Sequence, residues 1–472
     1  MNSHEPREAM SSVDKAWLRM DRPTNLMIIN SVMLFDEVLD FAHFQAVCEH
    51  RLVEPYPRFR QRIVESPSGT GRLFWETDPY FDIRSHLRHI ALPAPGDMAT
   101  LQVLISKLMS GALDRSKPLW RFYLIENVGS GCAVFGRFHH CIADGIALIQ
   151  VLLSMTDTDA NAPWPEPLPR RRRKQAGLLT HVVKQVSKVQ ALTVDIAKTV
   201  LYESIQTIEN PGHVLELAKA SGMITAASSA ILGKLLLLPA DRGSVFKGEL
   251  GTAKRVVWSD LLDLEQIKAI GRAHGATIND VLVTAVTGGL RQYLQARGDT
   301  LAGDLRAMVP VNLRPTTEEP QLGNRFSLVY LSMPISITDA GACLQTVKQR
   351  MNLLKNSPEP MVVYQVLSLL GMLPGDLADY AISLFASKAT AVLTNVPGPR
   401  QTLYFAGKPL RRLLFWVPQS GEIGLGISII SYAGTVTVGL MTDEKLAPDP
   451  EAILPGFYAT IAELATSIER KG

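Results

Sequence analysis

The stretch "HHCIADG", residues 139–145, brings together side chains that could transfer a proton or bind a metal ion. Histidine changes its charge close to neutral pH, so His139 or His140 could act as a general base. A zinc site needs about four converging ligands, and the sequence contains no HExxH motif and no CxxC pair to supply them. We therefore expect proton transfer here and no metal site.

The segment that carries the histidines predicts how they are positioned. Residues 132–140, "CAVFGRFHH", form an apolar run that is typical of a β-strand. Side chains alternate between the two faces of a strand, so His139 and His140 should point in opposite directions. One of them can then reach a substrate, while the other is expected to be buried and hydrogen-bonded.

A helix is predicted directly after the motif, over "ALIQVLLSM", residues 147–155. Asp144 precedes this helix and suits the N-cap position, and Gly145 would allow a tight turn there. The spacing favours a strand end, a turn and a helix start with a histidine at the edge of a cleft. A purely structural joint between strand and helix fits the same spacing.

The length of the chain indicates more than one lobe, since 472 residues exceed what a single hydrophobic core usually organises. Residues 161–175, "NAPWPEPLPRRRRKQ", combine prolines with a basic run at 170–174 and are typical of a linker. We expect a first lobe over 1–160, a basic linker and helical segment over 161–245, and a second lobe over 246–472.

The second lobe is predicted to mix helices and strands. Helices are expected over 264–275, closed by Gly275, and over 277–294. A hairpin turn is expected at Ala433-Gly434. The predicted strands are "KRVVWSD", "LRAMVPVNL", "SLVYLSMPI", "ATAVLTNV" and "GLGISIISYAGTVTVGLMT".

Composition and charge limit the partners and the cellular compartment expected for the protein. A net charge of +3 is too small to indicate nucleic-acid binding. The four cysteines form no motif and predict a reduced, cytoplasmic chain.

The start of the sequence lacks the apolar core of a signal peptide, and the apolar stretch 220–233 is shorter than the roughly 20 residues of a membrane span. The basic run at 170–174 and this apolar stretch together favour peripheral membrane contact, although a solvated linker is the alternative.

Several stretches besides HHxxxDG make the sequence similar to one known family. It resembles the bacterial wax ester synthase/diacylglycerol acyltransferases, which share HHxxxDG with chloramphenicol acetyltransferase and with nonribosomal peptide condensation domains. The resemblance runs from about residue 11 to residue 468, and its motifs follow in the order of the family. These motifs are "MSSVDKAWLRMDRPTNLM", "PRFRQRI", "LDRSKPLWRFYLIE", "ATINDVLVTAV", "VPVNLRP", "LGNRF", "TNVPGPR" and "SYAG".

The resemblance implies a mixed α/β (α+β) fold with two chloramphenicol-acetyltransferase-like lobes around a central tunnel. It also implies acyl transfer from acyl-CoA, as a co-substrate, to diacylglycerol or to a long-chain fatty alcohol, with no cofactor. Both kinds of product form from membrane-soluble acceptors, so the partner surface would be a membrane or a lipid droplet, bound peripherally.

Residue roles follow from matching the motifs. His140 matches the second histidine and is the expected general base, with His139 packed against the structure. Asp144 is expected to be structural and to pair with an arginine, and Arg58, Arg60 and Arg62 are the candidates. No GxSxG motif is present, so we expect direct transfer without an acyl-enzyme.

Four further residues are candidates for substrate binding: Gly145, Trp120, Asn279 and Asp280. The amide of Asn279 could donate to the oxyanion that forms from the thioester, or Asn279 and Asp280 could cap the helix that follows. Trp120, in "PLW", could be a core aromatic residue or could contact the substrate.

Two other functions share some of these features. A condensation-type enzyme that takes acyl groups from a carrier protein also has HHxxxDG. A non-catalytic lipid-binding or lipid-droplet protein would share the apolar character, but an intact "HHCIADG" argues against it.

Overall fold

The computed structural model describes residues 7–66, 71–162, 237–313, 326–355, 382–419 and 421–469, together with 322, 324, 357, 359–360 and 363–364. The described chain forms two lobes, and each is built on its own β-sheet. The linker and helical segment predicted between the lobes, including the basic run at 170–174, lies outside the described residues apart from its ends.

The first lobe has a five-stranded sheet. Its strands, in spatial order, are β15 (Arg412–Trp416), β2 (Ile28–Phe35), β7 (Gly131–His139), β6 (Trp120–Val128) and β5 (Leu87–Ala91). Every residue of β2 and β7 is buried, so both faces of the sheet are covered. This explains why the two strands are mainly apolar in the sequence, interrupted only by Asn30 and Ser31 in β2 and by Arg137 and His139 in β7.

Helices and a small second sheet complete the first lobe. The helices are α1 (Ser12–Met20), α2 (Phe41–Cys48, continued by a π-helical turn over Glu49–Val53), α3 (Met98–Met109) and α4 (Gly145–Ser154). The small sheet contains β1 (Glu8–Ala9), β4 (Leu73–Thr77) and β3 (Gln61–Glu65).

The second lobe has a seven-stranded mixed sheet. Its order is β11 (Phe326–Met333), β10 (Leu305–Asn312), β12 (Ala391–Pro397), β16 (Leu425–Tyr432), β17 (Thr435–Asp443) and β8 (Lys254–Trp258), with β9 (Leu262–Asp263) paired to β17. The helices are α5 (Leu264–Ala273), α6 (Ile278–Gln295), α7 (Ala340–Lys355) and α8 (Leu454–Glu469). α6 packs against α7 and α8, and most of its side chains are buried.

One strand of the first lobe comes from the far end of the chain. After the short hairpin of β13 (Tyr404–Phe405) and β14 (Lys408–Pro409), β15 pairs antiparallel with β2, with Trp416 opposite Asn30. The expected second lobe over 246–472 therefore needs a correction, because residues 412–416 belong to the sheet of the first lobe. The physical reason is that β2 would otherwise present an unpaired edge.

The predicted elements next to the motif are confirmed. The strand expected over 132–140 is β7, and the helix expected over 147–155 is α4, which begins two residues earlier. α5 ends as expected before Gly275, whose φ of +60° is in the left-handed region. Ala433 and Gly434 both have positive φ and join β16 to β17 in a hairpin.

Polar contacts join the two lobes. The ammonium group of Lys254, on β8, donates to the backbone carbonyl of Thr24 in the first lobe at 2.6 Å and pairs with Asp443 at 2.6 Å. The hydroxyl of Ser106, on α3, accepts a hydrogen bond from the backbone N–H of Val256 at 2.9 Å. Among the described helices, none is both long enough and apolar enough to span a bilayer.

Candidate active site

A narrow cavity of about 80 Å³ lies between the two lobes. The first lobe contributes the end of the histidine motif, one residue of α1 and the chain around β15, and the second lobe contributes β10, β11 and β12. The lining is mainly apolar. Its residues are Trp17, His140, Asp144, Gly145, Met308, Pro310, Asn312, Phe326, Leu328, Val392, Thr394, Asn395, Val396, Phe415, Val417 and Pro418.

His140 is held at this cavity by its backbone and by a stacked ring. It follows β7 directly, and its backbone N–H donates to the carbonyl of Met27 at 2.7 Å. Its imidazole stacks on the indole of Trp17, with ring centroids 4.0 Å apart and planes 21° apart. The side chain is almost completely buried, so the ring has little freedom to turn.

The two nitrogens of this imidazole have different surroundings. Nδ1 is sealed from solvent and has no hydrogen-bond partner among the described residues. Because the residue lines the cavity, we take Nε2 as the nitrogen that accepts a proton there. Burial lowers the pKa of His140 from 6.5 to about 4, although the nearby Asp144 carboxylate counters part of this shift. The imidazole is therefore neutral at pH 7 and can accept a proton.

His139 has a different environment, as the strand alternation predicts. It ends β7 opposite Ile28, and its Nδ1 accepts a hydrogen bond from the backbone N–H of Cys141 at 3.2 Å. Its Nε2 lies 3.7 Å from a carboxylate oxygen of Asp21. Burial alone would raise the pKa of Asp21, but His139 and Arg115 beside it lower that pKa to about 2. His139 is thus a buried residue that supports the motif.

Asp144 is the N-cap of α4. Its Oδ1 accepts a hydrogen bond from the backbone N–H of Ala147 at 2.9 Å, and its backbone is extended as the cap position requires. Gly145 lines the cavity, but a tight turn is not the reason for a glycine there, since its φ is not positive. A Cβ at this position would lie 3.5 Å from Val417 and would occupy space at the cavity.

Two of the arginines expected near Asp144 have other partners. Arg58 pairs with Glu8 at 3.0 Å, and its guanidinium lies over the ring of Trp75. Arg62 pairs with Glu76 at 3.2 Å. These two residues stabilise the small sheet of the first lobe, and which arginine pairs with Asp144 stays a prediction.

A larger cavity of about 690 Å³ adjoins the first one in the second lobe. Pro310 and Asn395 line both cavities. Asn279 lines only the larger of the two, at the start of α6, and its Oδ1 accepts a hydrogen bond from the side-chain amide of Asn395 at 2.6 Å. The side-chain amide that lines both cavities is therefore that of Asn395, and Asn279 contacts it by accepting its hydrogen bond.

The cap of α6 differs from the one predicted. Thr277 is the N-cap, and Asp280 completes a capping box by accepting hydrogen bonds from the backbone N–H and the hydroxyl of Thr277, at 2.8 and 2.7 Å. Asp280 is fully buried and lines neither cavity. Its assignment to substrate binding is therefore corrected to a structural role.

Trp120 belongs to the core. It is 1% exposed, its indole N–H donates to the carbonyl of Phe59 at 2.8 Å, and its ring stacks on His86. It lines neither of the two cavities. The core role is confirmed, and the assignment to substrate contact is corrected.

Three residues of the site were not identified from the sequence: Trp17, Asn324 and Asn395. Each lies within a motif on which the family resemblance rests, namely "DKAWLRM", "LGNRF" and "TNVPGPR". Their proximity to His140 depends on chain segments more than 100 residues apart, so no local pattern indicates it. Among the described residues, no three histidine, cysteine, aspartate or glutamate side chains form a metal-binding group.

The described chain has a two-lobed α/β fold in which a histidine at the end of a strand lines the interlobe cavity. Solved structures share this fold. The wax ester synthase/diacylglycerol acyltransferase from Marinobacter aquaeolei VT8 superimposes with a TM-score of 0.69 at 21% identity, covering 98% of this chain and 100% of the other. The first condensation domain of the calcium-dependent antibiotic synthetase superimposes with a TM-score of 0.62 at 16% identity, covering 98% and 97%.

Sequence comparison names the family. The model of the wax ester synthase/diacylglycerol acyltransferase catalytic domain matches residues 10–282, and that of the WS/DGAT C-terminal domain matches residues 322–465. The chain belongs to this family. The probable diacylglycerol O-acyltransferase tgs1 of Mycobacterium tuberculosis is 27% identical over 98% of this chain and 96% of its own length. O-acyltransferase WSD of Acinetobacter baylyi is 27% identical over 94% and 93%.

Proposed function

We propose that this O-acyltransferase moves a fatty acyl group from acyl-CoA to diacylglycerol, giving triacylglycerol, or to a long-chain alcohol, giving a wax ester. The observation that carries the proposal is the position of His140, whose imidazole lines an apolar cavity between the lobes. The names of the relatives support the acceptor classes. Family membership favours acyl-CoA over a carrier-protein thioester as the donor.

In the proposed reaction, Nε2 of His140 removes the proton of the acceptor hydroxyl while its oxygen attacks the thioester carbonyl. The C–O bond forms and the carbonyl oxygen becomes an oxyanion. The C–S bond then breaks, and the thiolate of CoA takes the proton from the imidazolium. A positioned general base is worth about 10²–10⁴-fold in rate.

The lining of the cavity is suited chemically to hydrocarbon. Met308, Leu328, Val392, Phe415 and Val417 give it an apolar wall, and apolar walls favour a hydrocarbon over water. No nucleophilic serine or cysteine is needed, because the acceptor attacks directly. Cys141, next to the base, is buried in the core, and burial raises its pKa well above the usual value, so it stays a thiol.

The oxyanion requires a fixed donor, and the amide of Asn395 is our candidate. It lies where the two cavities meet, and its hydrogen bond to Asn279 fixes its orientation while leaving its second N–H to donate. Asn279, for which the sequence left the roles of oxyanion donor and helix cap open, would then act as the residue that orients Asn395.

The acceptors dissolve in membranes, so we also propose that the enzyme works at a cytoplasmic membrane or lipid-droplet surface without spanning it. The basic run at 170–174 and the apolar stretch 220–233 support this proposal. The four cysteines are free and buried, as suits a reducing compartment.

The direct test uses purified protein with palmitoyl-CoA and either hexadecanol or dioleoylglycerol, and follows the release of free thiol. We expect acceptor-dependent thiol release and formation of the ester with at least one acceptor. A reaction without acceptor controls for hydrolysis. Thiol release that never exceeds this control, with either acceptor, would refute the proposed function.

A further inference from the structure

The buried side-chain amide of Asn324 links the two lobes next to the backbone of the candidate base, His140. Asn324 lies two residues before β11, in the second lobe, and is 7% exposed. Its Nδ2 donates to Oδ1 of Asp14, on α1 of the first lobe, at 2.8 Å, and to the backbone carbonyl oxygen of His140 at 2.9 Å. One side chain of the second lobe thus contacts the base and the helix that packs on it.

The orientation of this amide is determined by its partners. Both partners are acceptors, so Nδ2 must face them, because the reversed amide would place its oxygen against two other oxygens. Oδ1 of Asn324 is buried and has no hydrogen-bond partner among the described residues. A buried polar atom without a partner destabilises the folded state, so the two hydrogen bonds of Nδ2 must offset that cost.

The same helix contacts the imidazole of His140. Trp17 follows Asp14 by three residues, which places both side chains on one face of α1. Trp17 stacks on the imidazole, and Phe326, two residues after Asn324, lies with its ring centroid 5.5 Å from that of His140. The ring is therefore packed against aromatic groups from both lobes.

The backbone of His140 is restrained on both sides of its Cα. Its N–H donates to the carbonyl of Met27 within the first lobe, and its carbonyl accepts from Asn324 of the second lobe. With both peptide groups fixed and the ring stacked, the direction of Nε2 is set. The contact with Asn324 is the part of this restraint that depends on how the two lobes meet.

We propose that Asn324, oriented by Asp14, is a positioning residue for the base. It acts by holding the carbonyl of His140 so that Nε2 points into the cavity when the lobes are together. The inference rests on the proposed function of His140. Loss of the contact should slow the chemical step and leave substrate binding nearly unchanged, because Asn324 does not line the cavity.

Exchanging the side chains of Asp14 and Asn324 distinguishes a positioning role from a role in holding the two lobes together. Asn324→Asp replaces the donor with a carboxylate that faces Asp14 and the carbonyl of His140, so we expect kcat to fall at least tenfold with KM for both substrates within about twofold. Asp14→Asn keeps an oxygen that can accept from Asn324 and should retain most activity. The double variant Asp14→Asn/Asn324→Asp restores a hydrogen bond between the two side chains but leaves the carbonyl of His140 without its donor. It should recover the melting temperature without recovering kcat.

Asn324→Ala is the second variant, in case Asn324→Asp does not fold, since it removes the donor without adding a charge. We expect the same fall in kcat at unchanged KM. Asn25→Asp is the matched control. Asn25 is also buried and also joins the lobes, by donating to the backbone carbonyls of Gly421 and Ile423 at 3.1 and 3.3 Å. It should lower the melting temperature but keep kcat.

The outcomes are distinct. Recovery of kcat in the double variant, or full kcat in Asn324→Ala, would overturn the inference and leave the function of the enzyme intact. A parent protein and an Asn25→Asp variant that both fail to transfer acyl groups would instead refute the proposed function, and the inference with it. Loss of kcat in Asn324→Ala and in the swap, with the control active, supports positioning.

Discussion

At the scale of residues, His140 combines deep burial with a position in the cavity lining. The sequence indicates the residue type and its place at a strand end, but the stacking partner Trp17 and the amide of Asn324 come from segments far away in the chain. Strand alternation is a local property, so it correctly separated His139 from His140. Packing around the imidazole is a property of the assembled lobes, which a single sequence does not display.

Replacing the two histidines should have different effects. His140→Ala removes the base and is expected to lower kcat by about 10²–10⁴-fold while the protein stays folded. His139→Ala removes the acceptor for the N–H of Cys141 and a neighbour of Asp21, and we expect it to lower the free energy of unfolding by about 1–3 kcal/mol. Thiol-release kinetics and thermal unfolding of both variants test this. A stable but inactive His139→Ala variant beside an active His140→Ala variant would reverse the two roles.

The pH dependence of activity should reflect the low pKa of His140. Burial lowers this pKa from 6.5 to about 4, so the neutral base persists as the pH falls through 6.5 and is lost near 4. We expect the acid limb of kcat/KM to have an apparent pKa well below 6.5. An acid limb at 6.5 or above would contradict this expectation.

A stability measurement at each pH serves as the control for that profile. The unfolded chain takes up a proton at this histidine near pH 6.5, whereas the folded chain does so only near pH 4. The folded state binds fewer protons between these values, so the histidine contributes a loss of stability as the pH falls from 6.5 to 4. Rates should therefore be compared only where the melting temperature shows that the protein remains folded.

At the scale of elements, helices and strands with clear periodicity were predictable, and their exact ends were less so. α4 and α6 exist where the sequence predicts them. The cap that the sequence offered for α6, Asn279 with Asp280, lies two to three residues after the observed N-cap Thr277, because all three residue types favour helix starts. Only the hydrogen bonds between Thr277 and Asp280 decide among them.

The start of α4 gives a test of the motif aspartate. Asn caps a helix about as well as Asp, whereas Ala at the cap costs roughly 0.5–2 kcal/mol. Since Asp144 accepts a hydrogen bond from Ala147, we expect Asp144→Asn to keep the parent stability and Asp144→Ala to lose about 1 kcal/mol in chemical unfolding. Equal losses in the two variants would show that the charge of Asp144, and not its cap, stabilises the motif.

At the scale of the whole molecule, the two-lobe fold followed from the family resemblance, but the crossing of β15 did not. Antiparallel pairing of residues 412–416 with β2 joins positions nearly 400 residues apart, and no periodicity in either segment indicates a partner. The crossing places Phe415 and Val417 of the far segment at the cavity. The cavity lining is therefore complete only when residues 412–416, near the end of the chain, have paired with β2 of the first lobe.

The association of the whole enzyme with lipid can be tested through the basic run at 170–174. Each basic residue near an anionic surface contributes about 1 kcal/mol, and salt screens this attraction over about 8 Å at physiological ionic strength. Changing all five residues to glutamine should weaken binding to anionic vesicles more than binding to neutral ones. It should leave turnover of a soluble short-chain substrate intact.

A second variant with the same change in net charge provides the control for that experiment. Five exposed basic residues of the two lobes are replaced by glutamine: Arg84, Arg272, Lys408, Arg411 and Lys445. If the run at 170–174 binds lipid, this control should retain much more of the binding to anionic vesicles, because its lost charges are dispersed. Vesicle sedimentation at low and high salt measures the difference. Equal binding by the parent and the 170–174 variant would show that the run is a solvated linker, and equal losses in both variants would show that only net charge matters.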